Sequence, residues 1–352
     1  LYGAGIDAVS AQDAFGLGFP GFQGMGLDPA PGVGQGLDAI RSHEAEEYFL
    51  HFPDGNATVA RLLVRSLIPK AIPSAAVDDL VTTRCDYARL DEAGSPARIR
   101  LNSTAVRVRH VGEGAARQVE ITYSRDGKLK VVHAKRAVLA CWNSVIPHIC
   151  PELPEAQQAA MHFATKVPLL YTNVVIRNWS PFQKLGFASI EAPGSYHTNL
   201  GLDMPLNIGS YHSARTADEP VVVTMSKTPC SPGLPIRDQH KAGRLELFTT
   251  PWETLERNVR DQTARVLGPG GFDPARDILA ITVNRWAHGY AYQYNSLFDD
   301  FWRDGKLDQQ PCLVARKPFG KIAIANADAA AYSYTDAAID QAYRAVQEVL
   351  KA

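Results

Sequence analysis

The sequence predicts a mixed α/β (α+β) fold, and three observations predict it. The C-terminal stretch 317–350, KPFGKIAIANADAAAYSYTDAAIDQAYRAVQEVL, reads as a short strand, a small-residue loop and a helix. Residues 98–141 alternate apolar and polar positions around a strong hairpin turn, the pattern of a β-meander. Residues 150–295 set β-branched runs beside two helical stretches, which gives a second mixed region.

From the N-terminus, residues 1–36 are Gly-rich and show no periodicity, so they read as an irregular segment full of turns. Within it, Gly16-Leu17-Gly18-Phe19-Pro20-Gly21 matches G-x-G-x-x-G by letter. A dinucleotide-binding turn also needs an apolar strand before it, a helix after it and an acidic residue about 20 positions on. Asp7, Ser10, Gln12 and Asp13 interrupt the preceding run, and Pro20 falls where the helix would begin. The stretch is therefore read as a loop. A turn at Pro53-Asp54-Gly55-Asn56 then opens an amphipathic helix with Leu62, Leu63, Leu67 and Ile68 as its stripe.

The meander follows. Ile99, Leu101, Val106 and Val108 fall between polar neighbours in a strand over 98–111, 119–124 is the next strand, Asp126-Gly127 makes the turn, and 129–133 returns. Residues 136–141 form a buried-strand run that ends at Trp142. Beyond it come a helix over 154–163, strands over 167–179 and 221–224, and helices over 237–249 and 252–267. A strand over 278–285 leads into the aromatic run WAHGYAYQY at 286–294.

The last unit is the most informative. Residues 322–325 have strand character, and Asp328 is the only charge in the loop beyond them. Ala327, Ala329, Ala330 and Ala331 leave room for a flat ligand to approach the backbone. Thr335 or Asp336 can cap the helix that follows, and Ile339, Tyr343, Val346 and Leu350 predict its buried face. A strand feeding a helix N-terminus through such a loop suits anionic or electron-rich groups.

Bulk properties exclude several classes. The net charge of −1 over 352 residues leaves no electrostatic footprint for nucleic acid. No apolar run approaches the roughly 18–20 residues a membrane-spanning helix needs. Five scattered cysteines without C-x-x-C argue against a zinc site or a disulfide framework. No Ser-His-Asp spacing, P-loop or metal-ligand helix gives a basis for hydrolase or phosphotransferase chemistry.

Asn326-Ala327-Asp328, followed by Ala-Tyr-x-Tyr-Thr, resembles the C-terminal flavin-binding motif of the flavin-containing amine oxidases, and of their spermidine dehydrogenase-like branch. The resemblance extends over nearly the whole chain, strongest at 317–350 and good at 1–70 and 136–180. It implies an incomplete FAD-binding Rossmann-like domain plus a mixed-sheet substrate domain of the amine oxidase type. Asp328 sits where the family has an acidic residue near the ribityl–phosphate part of FAD. Asn326, Tyr334, Thr335 and Ala338 sit where the chain meets the cofactor. Asp54, Gly55 and Asn56 stand in for a paired-glycine turn beside the flavin, and Val106, Ala140 and Trp142 correspond to further FAD neighbours. The expected chemistry is hydride transfer from an amine or polyamine to FAD. Trp286, His288, Tyr290 and Tyr292 are the candidate catalytic group: aromatic walls that exclude water and attract alkyl-ammonium, with His288 as general base. A lysine expected near Leu169 or Leu170 is absent, and Lys166 is out of register.

The implied organisation is a Gly-rich part of the substrate region over 1–50, a portion of the FAD domain over 51–149, a substrate domain over 150–295 and the FAD-binding strand–loop–helix over 296–352. The pyrophosphate-binding motif is not found, so the resemblance implies a missing N-terminal FAD-binding segment. Two other expectations stand beside this one: a desaturase-like flavin oxidoreductase with an apolar tunnel, and a non-catalytic chain completed by a separate polypeptide.

Overall fold

The structure is a computed structural model that describes residues 3–32, 34–42, 51–299, 301 and 306–351. Two short helices, α1 (Ala11–Gly16) and α2 (Leu37–Ser42), punctuate the Gly-rich start, and α3 (Ala57–Leu67) follows. The meander comprises β1 (Thr104–Val111), β2 (Gln118–Arg125) and β3 (Lys128–Ala134), and β4 (Ala137–Leu139) comes after it. Next are α4 (Ile146–Ile149), α5 (Glu155–Phe163), β5 (Val167–Ile176), α6 (Ser180–Leu185), β6 (Ser189–Glu191) and β7 (Asn199–Leu202). A small hairpin, β8 (Asn207–Ile208) and β9 (Tyr211–His212), precedes β10 (Val221–Lys227), α7 (Ile236–Thr249) and α8 (Trp252–Leu267). The chain ends with α9 (Pro274–Asp277), β11 (Ile278–Tyr290), α10 (Pro311–Ala315), β12 (Ile322–Ile324) and α11 (Thr335–Lys351).

Besides the meander and the small hairpin, the described residues form two sheets that position the site. The larger is antiparallel, in the order β11-β5-β10-β7-β6. Its interior strand β5 buries Leu170, Thr172, Val174 and Ile176 on one face, while Tyr171, Asn173 and Val175 on the other are exposed or half-buried. Val174, Ile176, Val223 and Met225 pack with Val259 and Leu267 of α8 and Phe182 of α6, all essentially removed from solvent. Each such side chain contributes about 1.5–3 kcal/mol of burial. Leu170 packs instead with Leu247 of α7 and Leu255.

The smaller body is the parallel pair β4–β12, with Ala137, Val138 and Leu139 opposite Ile322, Ala323 and Ile324. It joins segments nearly two hundred residues apart. Leu139, Ile322 and Ile324 pack toward Ile146, Ile149 and Met161 of α4 and α5. On its other side Ala323 and Ala325 seat Ala345 and Val349 of α11.

That seat overturns one expectation. Ile339, Tyr343, Val346 and Leu350 are 52%, 69%, 44% and 63% exposed, so they are not the buried face of the last helix. Ala323 and Ala325 present a shallow surface that admits a close small-residue face, and Ala345 and Val349 fill it. Each helical residue turns by about 100°, so the large stripe faces solvent. On α3, likewise, Ile68 at its C-terminal end is buried while Leu63 and Leu67 are 59% exposed.

Other differences have local causes. The first meander strand begins at Thr104 rather than Arg98, because Ile99 bonds back to Leu90 and packs in a separate cluster with Ile68 and Leu80. Both residues of the Asp126-Gly127 turn have positive φ, +54° and +71°, as a tight primed hairpin requires. The strand expected to end at Arg285 continues to Tyr290. The Gly-rich start is not irregular throughout. Ser10 caps α1 by accepting the Asp13 N–H, and Asp13 in turn accepts the Gly36 N–H at 2.7 Å. Gly16 closes a helix rather than following a strand, which agrees with the loop reading of the G-x-G-x-x-G letters. Among the described residues no helix is long and apolar enough to cross a membrane, and the five cysteines are free.

His197, 1% exposed, lies between Thr172 and Gln262. Burial pushes its imidazole down to about 4. The unfolded chain therefore takes up this proton first, and stability falls as pH drops from 6.5 toward 4. The expected loss from this group alone is on the order of 3 kcal/mol. Urea titrations at neutral and acid pH should show a visibly shallower acid limb for His197→Gln; an unchanged limb would remove His197 as its source.

Candidate functional site

Strands β4 and β12 run parallel, so their C-terminal ends open side by side, the position where open α/β sheets gather ligand groups. From β4 the chain delivers Cys141, Trp142 and Asn143; from β12 it delivers Asn326 and Asp328. Asn326 binds both arms together, its amide donating to the Cys141 carbonyl at 2.6 Å and to Asn143 Oδ1 at 2.7 Å, while its oxygen accepts the Ala329 N–H. The loop closes on Ala331 at φ +49°, a left-handed conformation that costs a non-glycine residue about 1–2 kcal/mol and so must be imposed by its surroundings.

Asp328 has no exposed side-chain surface. One carboxylate oxygen accepts the Asn143 N–H at 3.1 Å, and the other lies 2.8 Å from Lys166 Nζ. Lys166 immediately precedes β5 and turns into this cluster, whereas Leu169 lines the neighbouring cavity and Leu170 is core. The lysine dismissed on register thus meets the acidic residue directly. Arg244 of α7 adds a second cation. It donates to the carbonyls of Ala287 and Lys166, both at 3.2 Å, tying the end of β11 to the start of β5, and its guanidinium lies 5.6 Å from the Trp142 ring.

Trp142 stacks on His288, with ring centroids 3.9 Å apart and an interplanar angle of 30°. Burial first, then the positive charges of Arg244 and Lys166, hold the His288 imidazole below its ordinary 6.5. Trp142 Nε1 and Asn143 Nδ2 are shielded from solvent and have no hydrogen-bond partner. Two unpaired donors at the mouth of a parallel strand pair are what a bound acceptor-rich ring would satisfy.

Beside this cluster, between β11 and the start of α11, lies a cavity of about 410 Å³. Asn56, Tyr290, Tyr334 and Thr335 line it together with Asp38, Gln293, His240 and Leu169. The Asn56 amide donates to Thr335 Oγ at 2.7 Å, so the first turns of α3 and α11 meet at the cavity edge. Tyr290 exchanges a hydroxyl hydrogen bond of 2.9 Å with Tyr171. Gly289 lets β11 follow this wall closely: a Cβ there would fall 2.8 Å from Leu169 Cδ1 and 3.1 Å from the Val167 carbonyl oxygen.

The expected site residues therefore separate. Asn56, Tyr290, Tyr334 and Thr335 share the cavity, and Trp142, His288, Asn326 and Asp328 share the cluster beside it. Ala338 lies in the first turn of α11, bonded through its N–H to Tyr334. Asp54 and Gly55 form the turn before α3, where Asp54 accepts from Thr58. Ala140 is exposed just past β4, and Val106 is 41% exposed beside an irregularity in the meander. Trp286 is 55% exposed. Tyr292 is a core residue, 2% exposed, packed with Ile236 and donating to Asp299 at 2.5 Å. Asp299 accepts that hydroxyl and the Asn295 N–H.

Sequence reading missed Asp38, Gln293, Asn143 and Arg244. Asn143 was legible as the neighbour of a loop tryptophan; the others are brought in by tertiary packing.

No protein-family model matches the chain, and no curated protein matches it. Solved structures do. A triple mutant from a structure-based redesign of cofactor binding in putrescine oxidase is 17% identical, with a TM-score of 0.48 over 71% of this chain and 49% of that one. Wild-type putrescine oxidase bound to putrescine is 15% identical, at 0.45 over 70% and 48%. Cyclohexylamine oxidase from Brevibacterium oxydans IH-35A is 13% identical, at 0.44 over 70% and 48%. The chain thus spans about half the length of these structures, and at this level of likeness the assignment is left to the chemistry of the site.

Removing one partner of a buried ion pair leaves the other charge uncompensated, at about 3–5 kcal/mol. Asp328→Ala should lower unfolding stability by that order, and adding Lys166→Met should recover part of the loss. Strictly additive losses in the double variant, measured by urea denaturation, would show that the two side chains do not act as a pair.

Proposed function

We propose that this chain is the C-terminal part of an FAD-dependent oxidoreductase that acts on amines, of the spermidine dehydrogenase kind. One observation carries the reading: just past the paired ends of β4 and β12, Trp142 Nε1 and Asn143 Nδ2 are solvent-excluded donors without a partner. Trp142 and Asn143 suit the acceptor-rich edge of a flavin ring, with Asn326, Asn56, Tyr334, Thr335 and Ala338 around it and the positive end of α11 favouring negative charge there. Asp328 then acts through Lys166 and Asn143 rather than by touching the cofactor. When bound, the flavin supplies a two-electron acceptor for the hydrogen on the carbon next to an amine nitrogen.

The chain's own residues prepare the amine. Oxidation requires a neutral nitrogen, and the burial and two cations that hold His288 uncharged also disfavour an ammonium beside it, while the neutral imidazole can accept a hydrogen bond from the amine. Tyr290 and Tyr334 wall the cavity and limit water. Asp38 and Gln293 give that cavity a polar end, which favours an amine over the apolar substrate of a desaturase-like enzyme.

In this reading 51–149 and 296–352 belong to the cofactor side, and 1–50 and 150–295 to the substrate side. The pyrophosphate grip comes from a strand–turn–helix segment outside the chain. Two observations support that partner. A two-stranded parallel pair is too small to stand alone, and Ile339, Tyr343, Val346 and Leu350 line one face of α11 in the open.

The purified chain is expected to show at most a weak flavin absorbance band near about 450 nm. Adding a polypeptide that carries the strand–G-x-G-x-x-G–helix unit should raise it to stoichiometric flavin that spermidine bleaches anaerobically. Stoichiometric flavin that no amine reduces would sink the amine reading.

A further inference from the structure

Arg244 follows Gly243 on α7, and a Cβ at Gly243 would fall 2.3 Å from the Pro229 carbonyl oxygen and 3.0 Å from Pro168, so the helix lies tight against the start of β5. From there the guanidinium reaches inward. Its Nε donates to the Ala287 carbonyl and one terminal nitrogen to the Lys166 carbonyl. It thus grips the residue before His288 and the backbone of the lysine that meets Asp328. Arg98, Arg100, Arg260, Arg276 and Arg344 each face a carboxylate. Arg244 is half-buried and pairs with no acid among the described residues; burial holds it below the ordinary arginine range, with nothing to offset that.

A charge held only by carbonyl dipoles and shielded from water keeps its field. That field falls where donors already lack acceptors. The guanidinium lies 5.6 Å from the Trp142 ring, and Trp142 Nε1 and Asn143 Nδ2 are shielded donors without a partner, Asn143 being wholly buried. Lys166 is balanced by Asp328 at 2.8 Å, so Arg244 leaves the cluster with net positive charge. His288, stacked on Trp142, registers it: after burial, Arg244 is the strongest influence holding that imidazole uncharged, ahead of Lys166, with Asp328 opposing both. Unpaired donors beside an uncompensated cation suit an occupant that gains negative charge. Oxidation of a neutral amine breaks a C–H bond and passes its hydrogen with two electrons to the acceptor ring; the amine leaves as an iminium cation and the ring takes the matching negative charge. We propose that Arg244 is a charge-positioning residue, clamped between β5 and β11 so that its fixed positive charge favours the acceptor ring after reduction over the same ring before it. The identity of the ring rests on the flavin-oxidoreductase reading; the placement of the charge rests on the clamp.

Two measurements test this. In the purified chain without flavin, ring-proton NMR follows the titration of His288, identified by the signal lost in His288→Gln. Arg244→Met is expected to raise the His288 protonation constant at least about threefold. Arg244→Lys keeps the charge and loses the fork, and should stay within about twofold of wild type. In the complex with the polypeptide that carries the strand–G-x-G-x-x-G–helix unit, equilibration with a redox dye gives the two-electron potential of bound FAD. Arg244→Met should shift the balance toward the oxidised form at least about tenfold, a fall of about 30 mV, while Arg244→Lys stays close to wild type. Lys241→Met removes an exposed charge from the same helix and should move neither readout. An unchanged His288 titration in Arg244→Met overturns the proposal. So does an unchanged potential with FAD fully bound, which leaves the flavin assignment intact. Equal falls in Arg244→Lys and Arg244→Met would mark a structural clamp rather than a charge, and overturn it as well. A complex that takes up no FAD brings down the flavin reading and this proposal together.

Discussion

The structure turns on the buried carboxylate of Asp328. It receives a backbone N–H from the end of β4 and an ammonium from the start of β5, and it belongs to the loop after β12. Three segments from three parts of the sequence are thereby fixed at one point. Coulomb attraction without solvent screening is strong, but so is the penalty for desolvating each charge, and what offsets it here is the short Lys166 contact and the Asn143 N–H on the other oxygen. Everything around it depends on that balance: the Asn326 clamp, the left-handed turn at Ala331 and the Trp142–His288 stack.

The charges around the cluster are graded rather than neutralised. Lys166 has an acid partner; Arg244 is held by carbonyl oxygens. Between them they leave a positive environment next to His288, while the neighbouring cavity carries the negative Asp38. A site with its cations on one side and its anion on the other can orient a polar molecule before any chemistry begins.

Much of this was legible in the sequence where local forces decide. Small residues at 327–331 announced a close-packed loop, β-branched runs announced β5 and β10, and Asp126-Gly127 announced its turn. The last helix illustrates the limit. Ile339, Tyr343, Val346 and Leu350 make a proper amphipathic stripe, yet Ala345 and Val349 are buried, because the shape of the partner surface at Ala323 and Ala325 decides which face fits. Asp38 was invisible for a different reason: nothing near it in sequence distinguishes a carboxylate aimed into a cavity from one in water. Lys166 lay one residue outside the strand where a functional lysine was sought, and its reach of four methylenes made the register irrelevant.

The pairing of β4 with β12 has a kinetic meaning. The hydrogen bond from Asn143 to Asp328 spans 185 positions. Closing so long a loop forfeits chain entropy before any contact rewards it, and only three residue pairs are gained on each strand. The antiparallel sheet closes shorter loops: its longest-range pairing, β11 with β5, sets Ile278 opposite Ile176 and Tyr290 opposite Val167. Assembly of the chain should therefore proceed from the large sheet outward, with the clamp at Asn326 closing among its last events, so that chemistry waits on the slowest contact in the molecule.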